Sequence, residues 1–180
     1  MKRFSLSPHP AEQPPAEIGV EVAVQREPPD ALGLHFRVTG DVTALRFPPR
    51  ARAERVDELW RHSCFEAFIR AAEDDAYLEL NFSPSGEWAA YYFDAWREGM
   101  RPALECAAPS VRFAVESTSV DLHVGLTLGW ASQLRDADWR IGLAAILEDR
   151  EGRMSHWALA HAPGEPDFHH ADTFACELRR

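Results

Sequence analysis

Lysine is almost missing from this chain: Lys2 stands alone among 19 basic residues, so the positive charge is nearly all arginine. Against 29 acidic residues the formal net charge is −10 and the pI is near 5.2. No Lys/Arg cluster offsets that balance, which argues against nucleic acid or an anionic membrane as partner. Cysteine is sparse as well. Cys64, Cys106 and Cys176 are odd in number and lack CxxC spacing, so neither a disulfide framework nor a structural zinc site is expected. Cys64 and Cys176 fall in apolar runs, where a free thiol behaves as a small core residue. No apolar run approaches membrane-spanning length and no leader follows Lys2-Arg3, so a cytoplasmic location is expected. The GxSxG, HExxH, GxGxxG and P-loop signatures are absent, and with them the commonest hydrolase and nucleotide-binding chemistries. Sustained 3.6-residue periodicity is also lacking.

What remains is 46% hydrophobic residues in 180, enough for one globular domain with a substantial core. They come as short alternating runs between turn signals. Residues 1–17 are rich in proline and polar groups and read as an extended arm or edge segment; residues 18–180 read as one domain. Strands are expected at 20–24, ending at Glu27-Pro28-Pro29-Asp30, and at 32–38 and 42–47. Residues 50–59 read as a charged, helical connection. Further strands follow at 64–69, 77–83 and 87–96, a loop at 97–109, then strands at 111–116, 119–128, 140–147, 154–161 and 174–178. Hairpin turns are expected at Pro84-Ser85-Gly86 and at 148–152, and a single helical turn at 131–137. About eleven short strands at this spacing indicate an all-β antiparallel sandwich or barrel.

Two of these strands carry groups that an apolar ribbon does not need. Alternation puts Cys64, Glu66 and Phe68 on one face, and Tyr77, Glu79, Asn81 and Ser83 together on the next strand. A carboxylate in such a setting is costly unless a partner or ligand meets it. Carboxylates and an amide beside an aromatic ring suit vicinal hydroxyls, which makes Glu66, Glu79 and Asn81 candidates for holding a sugar. The competing use of Glu66 is an ion pair with Arg61 or Arg140. Trp60 and Trp157, next to these polar residues in sequence, are the candidate stacking platforms. Trp88, Trp96, Trp130 and Trp139 read as lids on the core.

The segment 156–170 holds four of the eight histidines. His161, Asp167, His169 and His170 are metal-ligand types on a loop, but their spacing matches no zinc signature, and they read better as a polar pocket rim. Heme would draw on histidine with Met100 or Met154, without a CxxCH attachment. No resident cofactor is expected. A Glu66–Glu79 pair could serve a glycosidase as acid and base; the reading taken is non-catalytic binding.

Leu59-Trp60 with Cys64-Phe65-Glu66-Ala67-Phe68-Ile69 resembles the LW-x-(D)-x-VEIFI element of DOMON-like domains and family 9 carbohydrate-binding modules. Tyr77 to Trp88 is similar to their YYEFNxSPxGxW element, and Asp167 to Leu178 to their terminal FHxPxxFGxLxL. Departures are His62-Ser63 where the first element has Asp, and Ala175 where the last has Gly. Over residues 15–180 the resemblance implies a jelly-roll or immunoglobulin-like β-sandwich. It further implies a small ligand: a saccharide in family 9 modules, heme in some DOMON domains. The expected site joins Trp60, Glu66, Glu79 and Asn81 to a rim of Trp157, His161, Asp167, His169 and His170. Its expected partner is a saccharide or sugar-containing metabolite. No sequence feature sets an oligomeric state.

Overall fold

The computed structural model describes residues 1–14, 17–27 and 30–180. Thirteen strands occur among them: β1 (Lys2–Pro8), β2 (Ile18–Glu27), β3 (Ala31–Gly40), β4 (Leu45–Arg46), β5 (Cys64–Ala71), β6 (Tyr77–Phe82), β7 (Trp88–Phe93), β8 (Arg101–Pro102), β9 (Ser110–Val115), β10 (Ser119–Thr127), β11 (Trp139–Asp149), β12 (Met154–Ala158) and β13 (Cys176–Leu178). All their pairings are antiparallel, in the order β8-β7-β6-β5-β11-β12-β1-β2-β3-β10-β9, with β4 and β13 added onto β11.

The expected all-β antiparallel fold is present, built as one curled sheet, a half-barrel, whose two halves share a core. Its hinge is β1. Lys2 to Leu6 pair with β2, and Ser7 and Pro8 pair with Ala158 and Trp157 of β12. The N-terminal arm expected over residues 1–17 is therefore, for residues 2–8, a strand inside the sheet. Phe4 and Leu6 alternate with polar residues, and Leu6 is buried, which is the half-buried pattern a strand needs. The proline content of 8–15 had masked it. Pro28 and Pro29 of the turn expected after β2 lie outside the described residues.

Three other expectations shift. Residues 42–47 begin as a 3-10 turn, Val42–Ala44, before the two residues of β4. Residues 50–58 form no helix; they run beside β7, where Val56 N donates to Trp88 O and Trp88 N to Glu54 O. Their charges leave no apolar stripe to bury as a helix. Arg55 instead stacks 4.4 Å from the Trp88 ring and donates to the carbonyls of Ala90 and Ala103. The loop at 97–109 contains β8, which pairs with β7. Both hairpin turns are as expected, with Gly86 at φ 96° and Gly152 at φ 82°.

The two halves differ in how they use their faces. Val22, Phe36 and Leu122 from one half meet Phe65, Leu80 and Leu143 from the other; the Phe36 and Phe65 rings lie 5.1 Å apart. Each such side chain contributes about 1.5–3 kcal/mol by leaving water. The outer face of β2, β3, β10 and β9 is largely polar. The outer face of β5, β6, β7 and β11 is apolar as well, and holds a second cluster of Cys64, Phe68, Tyr77, Tyr91, Phe93 and Ile146. A sheet buried on both faces needs a cover, here supplied by Leu59–Arg61 and the loops around 94–100 and 162–175. That second face carries the site.

Candidate ligand-binding site

Strand register sets the floor. Glu66 on β5 stands between Asn81 on β6 and Ala144 on β11, and Glu79 on β6 faces Tyr91 on β7. Glu66, Glu79 and Asn81 thus share the outer face, as alternation required, and all three are buried. Above them opens a cleft of about 330 Å³. Trp60, Phe93, Ile146 and Phe168 give it apolar walls, while Glu66, Glu79, Arg97, His156 and His169 supply polar groups. That volume is at the small end of the roughly 300–1,000 Å³ usual for small-molecule sites.

Glu66 is the outlier. Its side chain is only 2% exposed, and Oε1 has no hydrogen-bond partner among the described residues. Neither expected arginine reaches it, because Arg61 pairs with Glu58 and Arg140 with Glu177. Burial, then the neighbouring Glu79 charge, hold its carboxyl well above the ordinary carboxylate range, favouring the protonated form. Glu79 is pushed up to about 7, also by burial, with the Asn81 hydrogen bond and the Arg97 charge pulling the other way. Asn81 Nδ2 donates to Glu79 Oε1 at 2.7 Å. Asn81 itself is fully buried and absent from the cleft lining, so it orients Glu79 from behind.

The rim is held by a connected set of bonds. Asp167 Oδ1 accepts from Arg97 Nε and Nη2 and from the His169 backbone N–H; Oδ2 accepts from Trp96 Nε1. Arg97 is held at φ 56°, a left-handed conformation costing about 1 kcal/mol in a residue with a Cβ. Its backbone N–H donates to the Tyr77 hydroxyl, which lies 2.9 Å from His169 Nδ1. Since Tyr77 accepts from Arg97, its proton points to Nδ1, and His169 carries its own on Nε2, 3.9 Å from Glu79 Oε2. Burial and the Arg97 charge lower His169 to about 4, consistent with a neutral ring. Tyr91, which bonds Asp57 and meets Trp60 edge-on, is raised by burial and stays protonated.

The structure brings together Trp60, Glu66, Glu79 and His169, with Asn81 beneath and Asp167 bracing the rim. It does not bring Trp157, His161 or His170 to the cleft. Trp157 points to the opposite face, pairs with Ala145, and donates to Ser155 Oγ within the main core. Its neighbour His156 takes the place on the site face. Trp157→Phe is expected to cost about 1–2 kcal/mol through the lost indole bond and filling, leaving ligand affinity unchanged; chemical denaturation beside a binding titration checks both. His161 Nε2 bonds Ser7 O, and His170 Nδ1 caps Asp172 N, so neither faces the site. With His169 and Asp167 committed as described, these four residues do not assemble into the metal set their types allowed. Trp96 is no core lid either: it is 58% exposed and tied to Asp167. Cys64, Cys106 and Cys176 are all free and buried.

Sequence reading missed His156, Phe93, Arg97, Ile146 and Phe168. Strand parity could have found Phe93 two residues after Tyr91. Nothing local marks Arg97, which arrives through a loop.

The fold and cleft together define an all-β domain of family 9 carbohydrate-binding-module type in its architecture. No family model matches the chain, and no curated protein matches it. Among solved structures, it is similar to a candidate carbohydrate-binding protein of Bacteroides uniformis, with a TM-score of 0.66 and 15% identity over 96% of this chain and 83% of that one. It is also similar to a family 9 carbohydrate-binding module of Caldicellulosiruptor kristjanssonii in complex with cellotriose, with a TM-score of 0.62 and 10% identity over 91% of this chain and 74% of that one. A glucose complex of a family 9 module from the same organism aligns with a TM-score of 0.54 and 9% identity, covering 92% and 78%.

Proposed function

We propose that this domain binds a small saccharide in the cleft over Glu66 and Glu79, without catalysing a reaction on it. The observation that carries the reading is the Glu66 carboxyl: buried, with Oε1 lacking a partner among the described residues, yet lining an open cleft. Such a group is destabilising by about 1–3 kcal/mol unless something meets it. A sugar hydroxyl does so, accepting a hydrogen bond from the carboxyl while donating one to Glu79. Trp60, half-buried at the edge, offers its face to sugar C–H groups. Arg97 and His156 line the same cleft. The architecture shared with modules solved with glucose and cellotriose supports this ligand class.

A hydrolase reading is less favoured by the same electrostatics. A glycosidase needs one firmly ionised carboxylate beside its acid. Here burial pushes both carboxyls toward the neutral form.

Calorimetric titration with glucose, cellobiose and cellotriose tests the proposal. Trp60→Ala is expected to weaken binding roughly tenfold or more with only a modest drop in the melting midpoint, because the half-buried ring packs against the edge of the outer cluster. The reading fails if no sugar gives heat or thermal stabilisation.

A further inference from the structure

We propose a transition-metal site on the opposite side of the molecule, formed by His35, His123 and Asp121 on the outer face of β3 and β10. His35 and His123 are direct cross-strand partners, and Asp121 precedes His123 by two residues on the same face. One ligand atom from each lies within 4.8 Å of the other two. His35 Nε2 is already 2.6 Å from Asp121 Oδ1, and the two imidazoles stack with centroids 4.0 Å apart and planes 12° from parallel. Small side-chain rotations from this arrangement bring two nitrogens and an oxygen to the roughly 2.0–2.2 Å that zinc requires.

Several features make the trio more than a surface hydrogen bond. Asp121 is largely shielded, with a side chain only 14% exposed, so its charge is available undiluted to a cation. Burial, and then the proximity of His35, lower the affinity of His123 for a proton, which leaves a lone pair to donate. The charged groups facing the trio are Arg37, 3.4 Å from Asp121 Oδ1, and Arg112, cross-strand to His123. Arg37 is satisfied in part by Ser119 Oγ and can release the carboxylate. Metal binding moves the His35 proton from Nε2 to Nδ1, with no other change of covalent state.

The surroundings leave coordination positions open. Beyond the histidines the face continues into a trough of about 630 Å³ along β3 and β10, where Gly33 and Gly125 face each other. A Cβ at Gly125 would meet nothing within 4 Å. Local packing does not demand glycine there, and its effect is a bare floor beside the ion. Two imidazoles and one carboxylate with open positions suit zinc, nickel, copper or ferrous ions; calcium and magnesium prefer all-oxygen sets.

The full-length chain is titrated calorimetrically with zinc chloride, and separately with calcium chloride, in a non-chelating buffer. One zinc per chain is expected, with no heat from calcium. His123→Ala, at an exposed position, is expected to weaken zinc binding at least roughly tenfold without moving the metal-free melting midpoint. Asp121→Asn weakens it while retaining shape. His161→Ala is the control, since His161 stacks edge-on against His9 and forms the rival imidazole pair. The site is refuted if wild type takes no zinc, or if His161→Ala abolishes binding that His123→Ala leaves intact.

Discussion

Glu66→Leu is expected to make the protein more stable and to eliminate saccharide binding. The native side chain is 2% exposed with one oxygen unpartnered among the described residues, and it lies across from Ala144 in an apolar cluster. Leucine is of similar size and removes both the unsatisfied group and the carboxyl that burial and the Glu79 charge hold above its ordinary range. A gain of about 1–3 kcal/mol follows. In a chain of this length each kcal/mol moves the melting midpoint by about 2–4 °C. Binding is lost because the floor no longer offers a proton to a hydroxyl. Thermal denaturation and sugar titration on the same preparation decide it. Destabilisation by several kcal/mol would falsify the assignment of Glu66 to a ligand and return it to a structural role.

The second large effect is a fall in stability as pH rises through neutrality. Glu79 has a folded pKa of about 7 against 4.5 for the free side chain, and Glu66 lies well above its own. The folded protein therefore holds protons that the unfolded chain releases, so these two groups contribute stability at low pH and lose it as pH rises. For Glu79 alone the change from pH 4.5 to 7 is on the order of 3 kcal/mol. His169 acts in the opposite sense. Its folded value of about 4, against 6.5 when free, removes stability as pH falls from 6.5 toward 4. The opposing trends offset one another over most of the acidic range. Above pH 6.5 the histidine contribution is constant and the carboxyls alone act. The melting midpoint should accordingly fall between pH 6.5 and 8, and Glu66→Gln should flatten that slope. Superimposable pH profiles for the two proteins would show that the Glu66 carboxyl is not perturbed as described.

Much of the site floor was legible from period-two alternation. Glu66 and Asn81 are polar residues whose immediate chain neighbours are apolar, and in a sheet buried on both faces they mark the face that carries the site. The same parity, carried to 154–158, separates Trp157 from His156; reading Trp157 by its closeness in sequence to polar residues hid this. The His-rich loop misled for a different reason. Donor types along a loop say nothing of where each side chain turns, and Ser7, Tyr77, Arg97 and the backbone of Asp172 claimed those groups one by one. The first strand escaped because its apolar pattern is short, and one of its partners, Ala158, lies near the other end of the chain.

The sequence alone determined the all-β class, the faces on which each strand residue lies and the pair of buried carboxyls, because these follow from alternation and from the cost of burying charge. Tertiary structure alone decided that no arginine reaches Glu66, that Arg97 and His169 close over Glu79, and that His35 meets His123. Each depends on which distant strands become neighbours. Register between segments as far apart as Ser7 and Ala158 is an outcome of packing the whole curled sheet, and no local pattern encodes it.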